Sequence, residues 1–315
     1  MKPMKPIIEV KQLEKSFKKH KALQGISFDV YPGEILCFLG PNGAGKSTTI
    51  NILSTTLRCD QGDIHFHGER VTHKSSNYKQ RLGIVPQDLA IYEEVSAEQN
   101  VKFFASLYGL HGKELQRRTD EALAFVGLSE RKRDKPKTFS GGMKRRLNIA
   151  CAIAHEPQVI VMDEPTVGID PQSRNHILQS IQRLKEQGAS IIYSTHYMEE
   201  VEEISTRIVI IDHGRIIASG TKEELKEQLE EEKLYEVDVE DSSGLNEDEL
   251  YRIDGVKKVY IAENRIRVTT LKGIENLDKI IQFLMNRGFK IINMTSSAAS
   301  LEMVFLKLTG RTLRN

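Results

Sequence analysis

The chain has 315 residues, with Lys and Arg totalling 45 against Asp and Glu totalling 44, and a formal net charge of +1. At about 100–200 residues per domain, this length predicts two domains, each large enough to bury a core. The even charge balance excludes a basic nucleic-acid coat and a disordered acidic tail, and no apolar run approaches the roughly 20 residues that cross a membrane.

In chain order, 7–10, 26–30 and 64–66 alternate polar with apolar residues and read as exposed or antiparallel strands. The runs 35–39, 82–85, 159–162, 190–194 and 208–211 are nearly continuous in apolar residues, the pattern of strands covered on both faces. Helical spacing intervenes at 46–57, 97–108, 114–126, 142–154, 172–187 and 197–204. This order predicts an α/β domain over 1–220, a parallel sheet with an antiparallel edge layer. Asp212-His213-Gly214 is expected to turn a hairpin between 208–211 and 215–218. Thr221 and Glu224 form a capping-box pattern opening a linker helix within 221–233, expected to run to Glu232. A small α+β domain follows over 234–315, with strands at 235–239, 256–261, 265–269 and 303–308, a helix at 274–286 and no catalytic constellation. The amino terminus lacks an apolar stretch before a small-residue cleavage site, so secretion is not supported. Cys37, Cys59 and Cys151 have neither metal-ligand spacing nor an even count, and are expected as reduced core or near-core residues.

The chemistry concentrates at strand ends. Gly40-Pro41-Asn42-Gly43-Ala44-Gly45-Lys46-Ser47-Thr48 follows an apolar strand and opens a helix. Its glycines let backbone N–H groups approach phosphate oxygens at a helix N-terminus, Lys46 reaches the terminal phosphates, and the Ser47 hydroxyl meets Mg²⁺. Asp163 and Glu164 close the strand 159–162; Asp163 is a candidate metal ligand and Glu164 a candidate general base. His196 follows another strand and reaches the same carboxyl rim, where its imidazole either contacts a γ-phosphate or attacking water or is structural. Ser140-Gly141-Gly142 opens a helix and makes a second anion site, which one phosphate loop cannot use in the same place.

Together these motifs resemble the ATP-binding subunit of ABC transporters over residues 7–220, which implies a P-loop NTPase core with a helical signature-motif region. Ser140-Gly141-Gly142-Met143 resembles the family signature Leu-Ser-Gly-Gly-Gln. The resemblance implies that two copies pack head to tail, each signature completing the other copy's ATP site. It makes Gln87 the glutamine that reaches the metal, Gly168-Ile169-Asp170-Pro171 the loop crossing the dimer interface, and His196 the switch histidine. Phe17 matches the ring that stacks on adenine, with a core or edge-strand role as the alternative. Phe139, Met143 and Ile169 depart from the usual residues, while Lys46, Gln87, Asp163, Glu164 and His196 are all present, so hydrolysis of Mg-ATP is expected. Leu301-Glu302-Met303-Val304-Phe305-Leu306-Lys307-Leu308-Thr309-Gly310 resembles the ending of the multidrug and antibiotic-export group, which includes subunits that pair with ABC-2 permeases. The resemblance implies a peripheral subunit on the cytoplasmic face of the membrane, held there by a separate permease that the segment 86–108 is expected to contact; of its rings Tyr92, Phe103, Phe104 and Tyr108, some are expected to be core. The basic residues of 131–137 and 144–146 are expected to form a solvated or partner-facing surface, with no nucleic acid bound. Two alternatives differ in partner: a soluble ABC-type switch acting on ribosomes or DNA, and an ATP-sensing regulatory module. One phosphate loop without a long inserted arm weighs against the first, and intact Glu164 and His196 against the second.

Overall fold

The computed structural model describes residues 4–229, 232–271, 274–297 and 301–309. The chain divides after Lys222 into two units. In chain order the first holds β1 (Ile8–Phe17), β2 (His20–Val30), β3 (Ile35–Leu39), α1 (Lys46–Leu53), β4 (Gln61–Phe66), β5 (Glu69–Arg70), α2 (Ser76–Gln80), β6 (Leu82–Val85), α3 (Ala97–Leu107), α4 (Gly112–Phe125), α5 (Gly141–Ile153), β7 (Val159–Asp163), α6 (Pro171–Glu186), β8 (Ser190–Thr195), α7 (Met198–Ile204), β9 (Arg207–Asp212) and β10 (Arg215–Gly220).

The runs without polar alternation become β3, β6, β7, β8 and β9 of a six-stranded sheet ordered β10-β9-β3-β8-β7-β6. Every neighbouring pair is parallel except the β9–β10 hairpin. A four-stranded antiparallel sheet, β2-β1-β4-β5, lies over it, and Ile8, Val10, Leu23, Ile26 and Phe28 share one buried core with Leu36, Phe38, Val161, Ile192 and Val209. Each such side chain contributes about 1.5–3 kcal/mol when fully buried. Because β3, β6, β7 and β8 run parallel, with Leu39 beside Thr195, Asp163 beside Ser194 and Val85 beside Met162, their carboxyl ends share one rim.

The second unit holds α8 (Lys222–Leu229), β11 (Glu232–Val239), α9 (Glu247–Leu250), β12 (Val256–Ala262), β13 (Arg265–Leu271), α10 (Leu277–Asn286), β14 (Ile291–Ser297) and α11 (Leu301–Thr309). Its antiparallel sheet is ordered β12-β13-β11-β14, the split βαβ arrangement of ferredoxin-like domains. Val237, Ile266 and Val268 meet Ile280 and Leu284 of α10 in a separate core.

Two expectations need correction, and one strand had no counterpart in them. The segment 303–308 is not a strand: it lies within α11, where Leu301, Val304 and Phe305 are buried at helical spacing, overriding the β-propensity of Val and Phe. The helix expected to reach Glu232 ends at Leu229, and Glu232 starts β11; residues 230–231 lie outside the described residues, as does Gly310. β14, not anticipated, carries mostly polar residues on an edge and leaves Ile292 exposed, so its apolar signal is weak. The cysteines are free, Cys37 and Cys151 buried and Cys59 half-buried, as expected.

His155, just after α5, gives the first unit a pH dependence. Its Nε2 donates to the Leu82 carbonyl at 3.1 Å, and its ring stacks on Tyr108 with centroids 3.5 Å apart. Nδ1 is buried without a partner, so protonation strands an N–H, and burial holds the pKa down to about 4 from 6.5. The unfolded chain therefore takes this proton at higher pH than the folded chain, and stability falls as pH drops from about 6.5 towards 4, by at most about 3 kcal/mol. Urea titrations at pH 7 and pH 5 should show a smaller loss for His155→Gln than for wild type; an equal loss assigns the pH dependence elsewhere.

Candidate active site

The loop between β3 and α1 is shaped by its glycines. Gly45 has φ 110°, and a Cβ there would sit 2.8 Å from the Ala22 carbonyl, so a larger residue would be strained and would collide with backbone. The loop closes on itself through Ala44 N–H to the Pro41 carbonyl at 3.1 Å and is tied to the β9–β10 turn by Gly214 N–H to the Ala44 carbonyl at 2.9 Å. Lys46 is 3% exposed. An ammonium group has three donors, and here its neighbours are the Gly40 carbonyl at 2.8 Å, the Pro41 carbonyl at 3.2 Å and Glu164 Oε1 at 3.1 Å.

Across the rim, Asp163 Oδ1 accepts from Ser194 Oγ at 2.6 Å and from Ser47 Oγ at 3.3 Å. This joins the carboxylate of β7 to the hydroxyl at the start of α1. Glu164 has φ 44°, unusual for a residue other than glycine, and its N–H is held by the Ser194 carbonyl at 3.2 Å and the Ser194 hydroxyl at 3.0 Å. That turn aims the carboxylate back over the loop. Oε1 lies 3.1 Å from Lys46 Nζ and 3.3 Å from His196 Nδ1. The latter pair is within ion-pair distance but lacks hydrogen-bond direction, leaving Nδ1 unpartnered.

A cleft of about 540 Å³ brings together Phe17, Asn42, Gly43, Gly45, Lys46, Ser47, Thr48, Gln87, Glu164 and His196. Phe17, at the end of β1, exposes 47% of its surface, with Lys15 Nζ 5.6 Å from the ring centroid. An exposed ring at the cleft mouth fits stacking better than a core role. Gln87 is exposed, and its backbone is clamped by Arg145, whose Nη1 donates to the Pro86 carbonyl at 2.7 Å and Nη2 to the Gln87 carbonyl at 2.6 Å. In sequence Arg145 is one residue of a basic stretch; in the fold it is buried and fixes this loop. The rest of that stretch is largely neutralised: Arg131 pairs with Asp134, Lys132 with Asp120 at 2.8 Å, Lys137 with Glu94 at 3.3 Å and Lys144 with Glu93 at 2.5 Å.

Ser140, Gly141, Gly142 and Asp170 do not line this cleft. Ser140 caps α5, its Oγ accepting from Met143 N–H at 3.3 Å, and Asp170 caps α6, its Oδ1 accepting from Ser173 N–H at 2.9 Å. The Ser173 hydrogen bonds hold the Asp170 carboxyl below the usual range. The two caps meet at Gly142, where a Cβ would lie 2.2 Å from Ser173 Oγ, so α5 and α6 approach as only glycine permits. Of the departures from the usual motifs, Phe139, ahead of the signature, is buried beneath the Arg131 guanidinium, and Ile169, in the interface loop, packs towards Gly141.

Residues 23–167 match the family model described as ABC transporter, and 220–309 match the C-terminal domain described as ATP-binding protein DrrA1-3-like. The chain is 41% identical to the linearmycin resistance ATP-binding protein LnrL of Bacillus subtilis (strain 168), over 98% of this chain and 100% of that protein. It is 33% identical to the daunorubicin resistance ATP-binding protein DrrA3 of Streptomyces coeruleorubidus, over 96% of each. A solved structure described as the ATP binding subunit of an ABC transporter superposes with a TM-score of 0.65 at 32% identity, covering 78% of this chain and 98% of that one.

Proposed function

We propose, for a chain that belongs to the ATP-binding subunits of ABC transporters and so hydrolyses ATP to power a membrane permease, that the partner is an ABC-2 type exporter carrying an antibiotic-like compound. Relatives spanning nearly the whole chain bear the names of antibiotic-resistance subunits, which supports the export direction. No helix among the described residues is long and apolar enough to cross a membrane. The subunit then reaches the cytoplasmic face through its permease. Leu89, Tyr92, Phe103 and Leu107 are exposed apolar residues within the segment that follows Gln87, the Tyr92 and Phe103 rings in contact with centroids 5.3 Å apart, and this segment is the proposed seat of the permease.

The observation that carries the hydrolytic reading is the convergence of Lys46 and His196 on one oxygen of Glu164. With ATP phosphates along the loop, Lys46 and the backbone N–H groups bind the terminal phosphates, and Phe17 stacks on the base. Glu164 takes the proton of the attacking water as the water's oxygen bonds to the γ-phosphorus and the bond from that phosphorus to the β–γ bridging oxygen breaks, so that ADP leaves, and His196 orients that water or the departing phosphate. Ser47, Gln87 and Asp163 offer a hard oxygen donor set suited to Mg²⁺, which when bound neutralises phosphate charge. Ser140, Gly141 and Gly142, with Asp170 beside them, are proposed to complete the γ-phosphate site of a second copy, because they lie outside their own cleft.

The test is affinity capture from detergent-solubilised native membranes with Mg-ATP, using tagged Glu164→Gln as bait and mass spectrometry as readout. Recovery of a polytopic membrane protein, reduced for a Tyr92→Ala/Phe103→Ala bait, is the expected result. Recovery of ribosomal or other soluble proteins alone overturns the reading.

A further inference from the structure

Glu200 is a carboxylate in α7 with only 1% of its surface exposed, and the hydrolytic scheme above does not use it. A buried carboxylate is costly unless hydrogen-bonded, so its partners indicate its role. Oε1 accepts from Thr166 Oγ1 at 2.6 Å, and Oε2 accepts from the Tyr193 hydroxyl at 2.8 Å and Thr195 Oγ1 at 2.7 Å. Thr166 sits on the turn that carries Glu164, and Thr195 directly precedes His196. Burial, and then the facing Glu200 carboxylate, push the Tyr193 phenol well above its ordinary range, so it remains a donor. Thr195 Oγ1 also accepts the Tyr197 N–H at 3.0 Å, pinning the chain on both sides of His196.

A further arm comes from the first turn of α6. Arg174 Nε lies 3.6 Å from Glu200 Oε1 and is buried without a hydrogen-bond partner, while its guanidinium carbon lies 4.7 Å from the Tyr197 ring centroid. The preceding residue, Ser173, is the one pressed against Gly142 at the start of α5. One helical turn thus touches the second anion site on one side and the His196 turn on the other.

We propose that Glu200 is a positioning residue for hydrolysis, tying the turn of His196 to the turn of Glu164 and to the first turn of α6 so that the two groups keep their working separation. The inference rests on the reading of Glu164 and His196 as hydrolytic groups. Thr195→Val removes one arm and keeps the shape, Thr195→Ser keeps the hydroxyl, and Glu200→Gln preserves volume but places amide N–H groups against hydroxyls that now donate.

The experiment compares kcat and KM for ATP in the purified full chain for these three variants, with Glu164→Gln alongside. Misplacing reacting groups lowers kcat on the order of 10–100-fold for Thr195→Val and Glu200→Gln while KM stays within about threefold, and Thr195→Ser recovers most of the loss. A merely structural role lowers thermal stability and leaves kcat per folded molecule unchanged. Near-wild-type kcat in both Thr195→Val and Glu200→Gln, with Glu164→Gln inactive, overturns the proposal. Wild-type turnover by Glu164→Gln overturns the reading of the site instead. If Glu200→Gln does not fold, the Thr195 pair decides by itself.

Discussion

Glu164→Gln is expected to lower steady-state ATP turnover by about 10²–10³-fold and to leave ATP affinity within a few-fold of wild type. The amide has the shape of the carboxylate but cannot accept the proton of the attacking water. Its backbone is fixed independently of the side chain, by the Ser194 carbonyl at 3.2 Å and the Ser194 hydroxyl at 3.0 Å. Lys46 keeps its two carbonyl contacts, at 2.8 and 3.2 Å, so the phosphate-binding loop retains its form. ATP then binds without being consumed, and the head-to-tail pair should accumulate. Single-turnover hydrolysis and size-exclusion chromatography with and without Mg-ATP measure the two halves of this expectation. Unchanged turnover assigns the base to another group, and loss of turnover without an ATP-dependent dimer removes support for closure of two copies.

What the sequence displayed depended on whether spacing alone fixes the geometry. The Gly40 to Thr48 loop was legible because its hydrogen bonds and its helix start are local, and Asp163, Glu164 and His196 because each ends or follows an apolar strand of one parallel sheet. Parallel strands bring their carboxyl ends to one rim, so strand type and order sufficed to gather these residues. Arg145 and Glu200 were not legible in this way. Arg145 clamps backbone carbonyls 58 and 59 positions away in sequence, and Glu200 meets Thr166 34 positions away. Nothing in their neighbourhoods distinguishes them from charged residues on a solvated helix face. The signal available was their place on helices: Arg145 shares a face with Ile149 and Ala152, and Glu200 with Val201 and Ile204, all buried, where a charged residue needs a partner. The same test applied to 301–308 separates helix from strand, because Leu301, Val304 and Phe305 fit a period near 3.6 and not 2.

Lys46→Met should abolish most nucleotide binding and also destabilise the first unit, and the two effects have separable causes. The ammonium supplies charge-assisted bonds to phosphate oxygens, and losing them weakens ATP affinity by about 10²-fold, since each such bond contributes roughly 1.5–3 kcal/mol. The stability effect arises elsewhere. The Lys46 and Glu164 side chains are only 3% and 7% exposed and lie 3.1 Å apart, so deleting the cation leaves a buried carboxylate without its charged partner. Breaking a buried pair from one side costs about 3 kcal/mol or more, well beyond what loss of packing from a Lys-to-Met change explains. The double variant Lys46→Met/Glu164→Gln removes the stranded charge. It should therefore regain most of the lost stability in thermal melts, while its ATP affinity, measured by titration calorimetry, stays as weak as that of Lys46→Met. Two effects that recover together, or a stability loss that the second substitution deepens, mean that the pair does not couple as its geometry implies, and that the Gly40 and Pro41 carbonyls stranded by the loss of Lys46 dominate instead.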